Sequence, residues 1–203
     1  MLVRVVCLAI GYAFGCFLTA DIVARMRLGK PAHEVGSGNP GMANIASLLG
    51  TRWAAVVLIG DVGKVLVPFA ICRFVLFPDL GQVSALWVGL GATLGHDFPF
   101  WMGFHGGKGV STTCATIVFN DPVGGLVSCV VGLLVVLATK QLCFGAVAIT
   151  FAFAVFAFLH GWETFALACV LAVLMAFAHG RPMLDALAGR GHRTDLLAQL
   201  RRR

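Results

Sequence analysis

The sequence predicts an all-α, polytopic integral membrane protein of roughly seven transmembrane or half-inserted helices, each run judged against the length a bilayer needs. Three observations predict it. Of 203 residues, 59% are hydrophobic and 12% charged, about half the charged share of an ordinary soluble domain. The apolar residues come in long unbroken runs, and the basic residues gather beside those runs instead of spreading evenly. A soluble core has no use for so much apolar sequence, whereas a bilayer does.

The apolar spans fall near residues 2–23, 53–77, 83–95, 110–119, 123–139, 142–159 and 164–179. Arg4 ahead of the first run gives it the look of a signal peptide, yet the run leads directly into a glycine-rich loop and reads as a retained helix. The second run carries Asp61 and Lys64 three residues apart, on one helical face where they neutralise each other. The third and fourth are too short for a hydrocarbon layer that takes about 20 residues to cross, so they read as half-inserted helices lining a site. Non-helical backbone at that depth is tolerated only where protein or water surrounds it. The whole chain, 1–203, reads as one membrane-embedded domain with a basic tail over 190–203.

Charge sets the expected orientation. The net charge of +6 gathers at Arg25, Arg27, Lys30 and Lys140 and in the tail. That is the juxtamembrane pattern of cytoplasmic faces, not a nucleic-acid footprint. With the N-terminus outside, both glycine loops and the tail fall on the cytoplasmic side, and the turns at Asp79, Asn120–Pro122 and Trp162–Glu163 fall opposite. The seven cysteines sit mostly in apolar runs without CxxC spacing, which predicts neither a disulfide framework nor a metal site.

Two loops carry the chemistry. The first is Gly36-Ser37-Gly38-Asn39-Pro40-Gly41, followed by Asn44 where a helix is due to begin. Its glycines admit positive φ and expose backbone N–H groups that form an anion-attracting nest, to which Ser37 and Asn39 add side-chain donors. A helix start at Asn44 adds further N–H groups. The competing reading is a plain tight turn. The second loop runs from Gly95-His96-Asp97-Phe98-Pro99 to Gly106-Gly107-Lys108-Gly109. Lys108, clasped by three glycines, has room to set its ammonium against an oxyanion beside bare backbone donors, where the plain alternative is a snorkelling topological anchor. The spacing is not that of a Walker loop. His96 is a candidate base or positioning donor, His105 stands open between structure and site, and Lys64 is a further candidate for the anion site. His160 and His192 carry no assignment.

As a set, GSGNPGMAN (36–44), GDVGK (60–64) and GHDFPFWMGFHGGKGVST (95–112) resemble the bacterial acyl-phosphate:glycerol-3-phosphate acyltransferases. The resemblance implies a seven-helix inner-membrane enzyme. It would move a fatty acyl group from acyl phosphate to the 1-hydroxyl of glycerol 3-phosphate and release inorganic phosphate. No cofactor, metal, coenzyme A or acyl carrier protein would take part directly; the partners would be the two substrates and membrane lipids. Carried over by position, Ser37, His96 and Lys108 would be catalytic. Gly36, Gly38, Asn39, Asn44, Gly106, Gly107 and Gly109 would bind substrate phosphate. Because acyl phosphate is already activated, positioning and charge stabilisation suffice, with a substrate phosphate as first-choice proton acceptor and His96 as second. The commoner membrane acyltransferases place an Asp five residues after a His, and none of the six histidines here has that partner.

The chain also departs from the family pattern. Ala43 stands for a threonine, Ser47 for an arginine, Cys143 for a serine and Pro182 for an asparagine in the motif around His179. Arg52 is the candidate to reach the place vacated at Ser47, and Arg181 to stand in for the arginine of the motif around His179, although a bidentate arginine is not replaced by any nearby charge. Three alternatives follow: an inactive or regulatory paralogue, an acyltransferase for another polyol phosphate, or a small anion or lipid transporter. Transport predicts inverted repeats, and neither glycine loop has a second copy.

Overall fold

A computed structural model describes residues 1–191; the tail from His192 onward lies outside the described residues. The regular elements of the described chain are all helices: α1 (Leu2–Gly15), α2 (Thr19–Leu28), α3 (Met42–Leu49), α4 (Thr51–Ala70), α5 (Ser84–Asp97), α6 (Val110–Asn120), α7 (Pro122–Thr139), α8 (Leu142–Leu159) and α9 (Trp162–Leu187). Short 3-10 turns at Ala32–Glu34, Pro78–Val83 and Phe100–Met102 join them. The apolar runs of the sequence return as helices, except that the first, read as one helix over 2–23, is divided between α1 and α2. Five stretches have spanning length: Leu2–Leu28, Thr51–Leu76, Pro122–Thr139, Leu142–Leu159 and Trp162–Leu187. The chain is a multi-pass membrane protein, and α5 and α6 are the shorter members expected beside the second loop.

The helices cluster into two compact units, Met1–Asn120 and the segment from Asp121. In the first unit α5 is the central element, almost wholly buried, with α1, α4 and α6 packed on it. Glycine spacing makes this possible. Gly11 and Gly15 of α1 lie against the carbonyls of Val88 and Ala92, while Gly91 and Gly95 of α5 lie against those of Leu8 and Tyr12. Two small-xxx-small faces thus meet backbone to backbone, the packing that substitutes in lipid for the hydrophobic effect. A second cluster joins α2, α3 and α4 through Ala20, Val23, Ala24, Ile45 and Val57. Pro68 sits inside α4 and lacks the N–H that would bond the Lys64 carbonyl. The helix then widens into a π segment at Ile71–Leu76.

In the second unit α7 packs on α8 and α8 on α9. Pro122 occupies the first turn of α7, and Asp121 caps that turn by accepting from the Val123 and Gly124 N–H groups at 3.1 and 3.0 Å. The last helix corrects the expectation from sequence. It continues past residue 179 to Leu187, so Pro182 lies within it and does not end it. A proline removes one helical hydrogen bond, here to Ala178, and a membrane helix absorbs that loss through its neighbours.

Candidate active site

The first glycine loop is shaped from beneath. The buried Asp21 carboxylate accepts from Arg25 Nε at 2.7 Å and from the Ala32 N–H at 2.8 Å, tying the start of the loop to α2. Asn44, in the first turn of α3, turns its amide inward. Its Oδ1 accepts from the Ser37 N–H at 2.9 Å, and its Nδ2 donates to the Val35 and Ala32 carbonyls at 3.0 and 3.5 Å. Gly36, at φ +58°, passes so close to this amide that a Cβ would collide with Asn44 Oδ1. The Asn44 amide thus holds the first loop from within.

Several N–H groups of the loop are engaged as well. The Gly38 N–H donates to the Val35 carbonyl at 3.0 Å, the Asn39 N–H to Ser37 Oγ at 3.4 Å and the Gly41 N–H to the Asn39 carbonyl at 2.8 Å. Gly36 and Gly38 both take positive φ, which glycine adopts without strain. What the loop offers outward is the hydroxyl of the exposed Ser37 and the side chain of Asn39. Arg52 is exposed in the first turn of α4, one helix on.

The second loop folds back on its own origin. Tyr12 Oη donates to the Phe98 carbonyl and Trp101 Nε1 to the Cys16 carbonyl, both at 2.8 Å, which pins the outgoing strand of the loop to the end of α1. On the return, the Gly106 N–H donates to the Asp97 carbonyl and the Gly107 N–H to the His96 carbonyl, both at 2.9 Å. These two N–H groups are not bare anion donors. The glycines are needed instead for close approach. A Cβ on Gly107 would strike the His96 ring at Nε2, and one on Gly109 would lie 2.6 Å from Thr93 Cγ2 and 2.9 Å from Asp97 Oδ1. Lys108 sits half-exposed between them. His105 is exposed and its Nδ1 donates to the nearby Gly103 carbonyl at 2.6 Å, a local turn contact.

Beneath this loop lies a buried charge cluster that sequence reading split apart. The Lys64 ammonium is 2.9 Å from Asp61 Oδ1, 2.5 Å from His96 Nδ1 and 3.4 Å from the Phe17 carbonyl. The side chains of Lys64, Asp61 and His96 are 2%, 3% and 5% exposed. Asp97 is buried beside them, with both carboxylate oxygens lacking a hydrogen bond among the described residues. The pairing of Asp61 with Lys64 was legible from their spacing; the reach of Lys64 to His96, 32 residues away, was not. A charge inside an apolar run was the available signal. Among the described residues no three His, Cys, Asp or Glu side chains are grouped to hold a metal. α4 serves both loops: α2 and α3, which bracket the first, pack on it, and its Lys64 touches the base of the second. An apolar crevice of about 530 Å³, lined by Ala13, Phe14, Phe17, Gly60, Gly63 and Val67, leads to Lys64.

Residues 5–189 match the family described as glycerol-3-phosphate acyltransferase. The glycerol-3-phosphate acyltransferase 1 of Lactobacillus johnsonii is 36% identical over 98% of this chain and 96% of its own length. This chain belongs to the glycerol-3-phosphate acyltransferase family. The Lactobacillus acidophilus relative of the same name is 34% identical over the same shares. Crystal structures of PlsY, an integral membrane glycerol 3-phosphate acyltransferase, superpose closely. Its glycerol 3-phosphate form gives a TM-score of 0.84 at 28% identity, covering 97% of this chain and 98% of that one. Its lysophosphatidic acid form gives 0.80 at 27%, covering 94% of each.

The positions at which this family member departs from pattern have simple surroundings. Ala43 is exposed in the first turn of α3, and Ser47 donates to the Asn44 carbonyl at 2.7 Å on the same helix. Cys143 is buried in α8. His179 is buried in α9 with Nδ1 donating to the Met175 carbonyl at 3.0 Å, and Arg181 is exposed just beyond it. Cys143, His179 and Arg181 belong to the second unit, whereas Ser37, Asn39, Arg52, His96 and Lys108 belong to the first.

Proposed function

We propose that this family member transfers a fatty acyl group from acyl phosphate to the 1-hydroxyl of glycerol 3-phosphate in a bacterial plasma membrane. The observation that carries the reading is the likeness to an integral membrane glycerol 3-phosphate acyltransferase over 97% of the chain. The site chemistry agrees with it. Lys108, Ser37 and Asn39 are donors at the two loops, Arg52 adds a cation at a helix start, and the crevice beside Lys64 suits a substrate with an apolar tail. An arginine in a helix's first turn faces the positive end of the dipole, and a bound phosphate relieves that.

In the reaction the hydroxyl oxygen attacks the acyl carbon, the carbon–oxygen bond to phosphate breaks, and inorganic phosphate leaves. The hydroxyl proton passes to a phosphate oxygen of the substrate. Lys108 neutralises charge that grows on the leaving phosphate, and the donors of the first loop orient the acyl carbonyl. Both loops and the tail face the cytoplasm in this reading, since the basic residues collect there.

The test is transfer from palmitoyl phosphate to radiolabelled glycerol 3-phosphate by purified protein. Labelled lysophosphatidic acid and stoichiometric phosphate are expected. Binding of palmitoyl phosphate without turnover would replace this reading with a binding paralogue.

A further inference from the structure

We infer that Asp61 and Lys64 are positioning residues that hold His96 with its lone pair on Nδ1 and its proton on Nε2, so that it offers the glycine loop a hydrogen-bond donor and not a base. The inference deepens the acyl-transfer reading and rests on it only for its kinetic arm.

An ammonium has three N–H donors and no acceptor. Asp61 Oδ1, at 2.9 Å, gives Lys64 the carboxylate that an ammonium in an apolar helix needs. Lys64 Nζ also stands 2.5 Å from His96 Nδ1. A proton on Nδ1 would set donor against donor at that distance, so Nδ1 must carry the lone pair. The ring's proton is then on Nε2, an assignment made from the network of partners. Asp61 lies 3.8 Å from the same Nδ1, near enough to anchor the lysine but beyond hydrogen-bond reach of the ring.

The ring is also aimed. Its own carbonyl accepts from the Gly107 N–H, and Nε2 lies under Gly107, where a Cβ would strike it. The Nε2–H therefore points at Gly107, whose neighbour Lys108 is half-exposed. A ring so held can donate to a developing oxyanion there, but its one lone pair is occupied by Lys64 and cannot take the hydroxyl proton. That leaves the proton to the substrate phosphate and makes His96 the donor whose orientation α4 controls. Fixing a histidine's tautomer through the partner of its other nitrogen is the general way proteins choose which face of the ring does chemistry.

The first test is 15N NMR of full-length protein labelled at histidine, with the His96 signals identified by subtraction of the His96→Gln spectrum. The Nε2–H tautomer is expected for His96. Protonation at Nδ1 overturns the inference, whatever the enzyme assays give. The second test is kinetic. Lys64→Met should lower kcat about tenfold or more while KM for each substrate stays within about threefold, the signature of a contact used in the transition state. Lys64→Arg, which keeps a donor toward Nδ1, should recover most of the loss. If Lys64→Met fails to insert because Asp61 is left uncompensated, Asp61→Asn with Lys64→Met removes both charges and should show the same kcat loss. Turnover within about twofold of the parent in either variant overturns the positioning role. A parent inactive with palmitoyl phosphate sinks the acyl-transfer reading instead, and the NMR result still decides the tautomer.

Discussion

At the scale of residues, the glycines of both loops are there for approach more than for exposed donors. Gly107 lets the chain cross the His96 ring, and Gly36 lets it cross the Asn44 amide. With the neighbouring N–H groups engaged, Lys108 becomes the principal charge the second loop can offer a phosphate. Lys108→Ala should lower acyl transfer at least about tenfold while insertion and yield are unchanged, since a charge-assisted contact is worth about 1.5–3 kcal/mol. Parent-like activity would leave the lysine as a topological anchor. Lys108→Arg should also be impaired, because the planar fork is larger and the flanking glycines sit tight on α5.

Ser47 is the departure most open to repair. It is exposed on α3 and its hydroxyl only caps the Asn44 carbonyl, so an arginine can extend outward there without displacing core. If its loss weakens the acceptor site, Ser47→Arg should lower KM for glycerol 3-phosphate about tenfold, the worth of one well-placed phosphate contact. A higher KM after the change would mean that another cation, Arg52 foremost, has taken the role.

At the scale of elements, α5 is the beam on which the second loop is mounted, and glycine contact with α1 holds it. Gly95, the residue before His96, lies against the Tyr12 carbonyl. Gly95→Val would force the two backbones apart at the site itself. Overpacking of this kind costs about 1–3 kcal/mol, and thermal unfolding in detergent should shift down accordingly, with activity lost before the fold. Gly63, whose Cβ would meet nothing within 4 Å, is the control: Gly63→Ala should leave thermal stability close to the parent's. An equal shift in both would place the effect in helix propensity and not in the α1–α5 contact.

At the scale of the whole molecule, the arrangement of basic residues predicts the orientation in the bilayer. In a cysteine-free background and sealed cells, a membrane-impermeant thiol reagent should label a cysteine at position 162 and spare one at position 30. The opposite pattern would put the first loop on the wrong side for a cytoplasmic phosphate substrate.

Legible along the chain are the class of the protein, the position of each apolar segment, the shortness of the two helices beside the second loop, and the motifs that mark the family. These are local properties: hydropathy over a helix length and glycine spacing over a turn are written in neighbouring residues. Only the tertiary structure decided where each polar group spends its hydrogen bonds. Asn44 turned inward, the Gly106 and Gly107 N–H groups were taken by α5 carbonyls, α9 ran through Pro182, and Lys64 met a histidine from another helix. A donor's partner depends on which helices lie side by side, and in lipid the backbone groups must be satisfied within the protein.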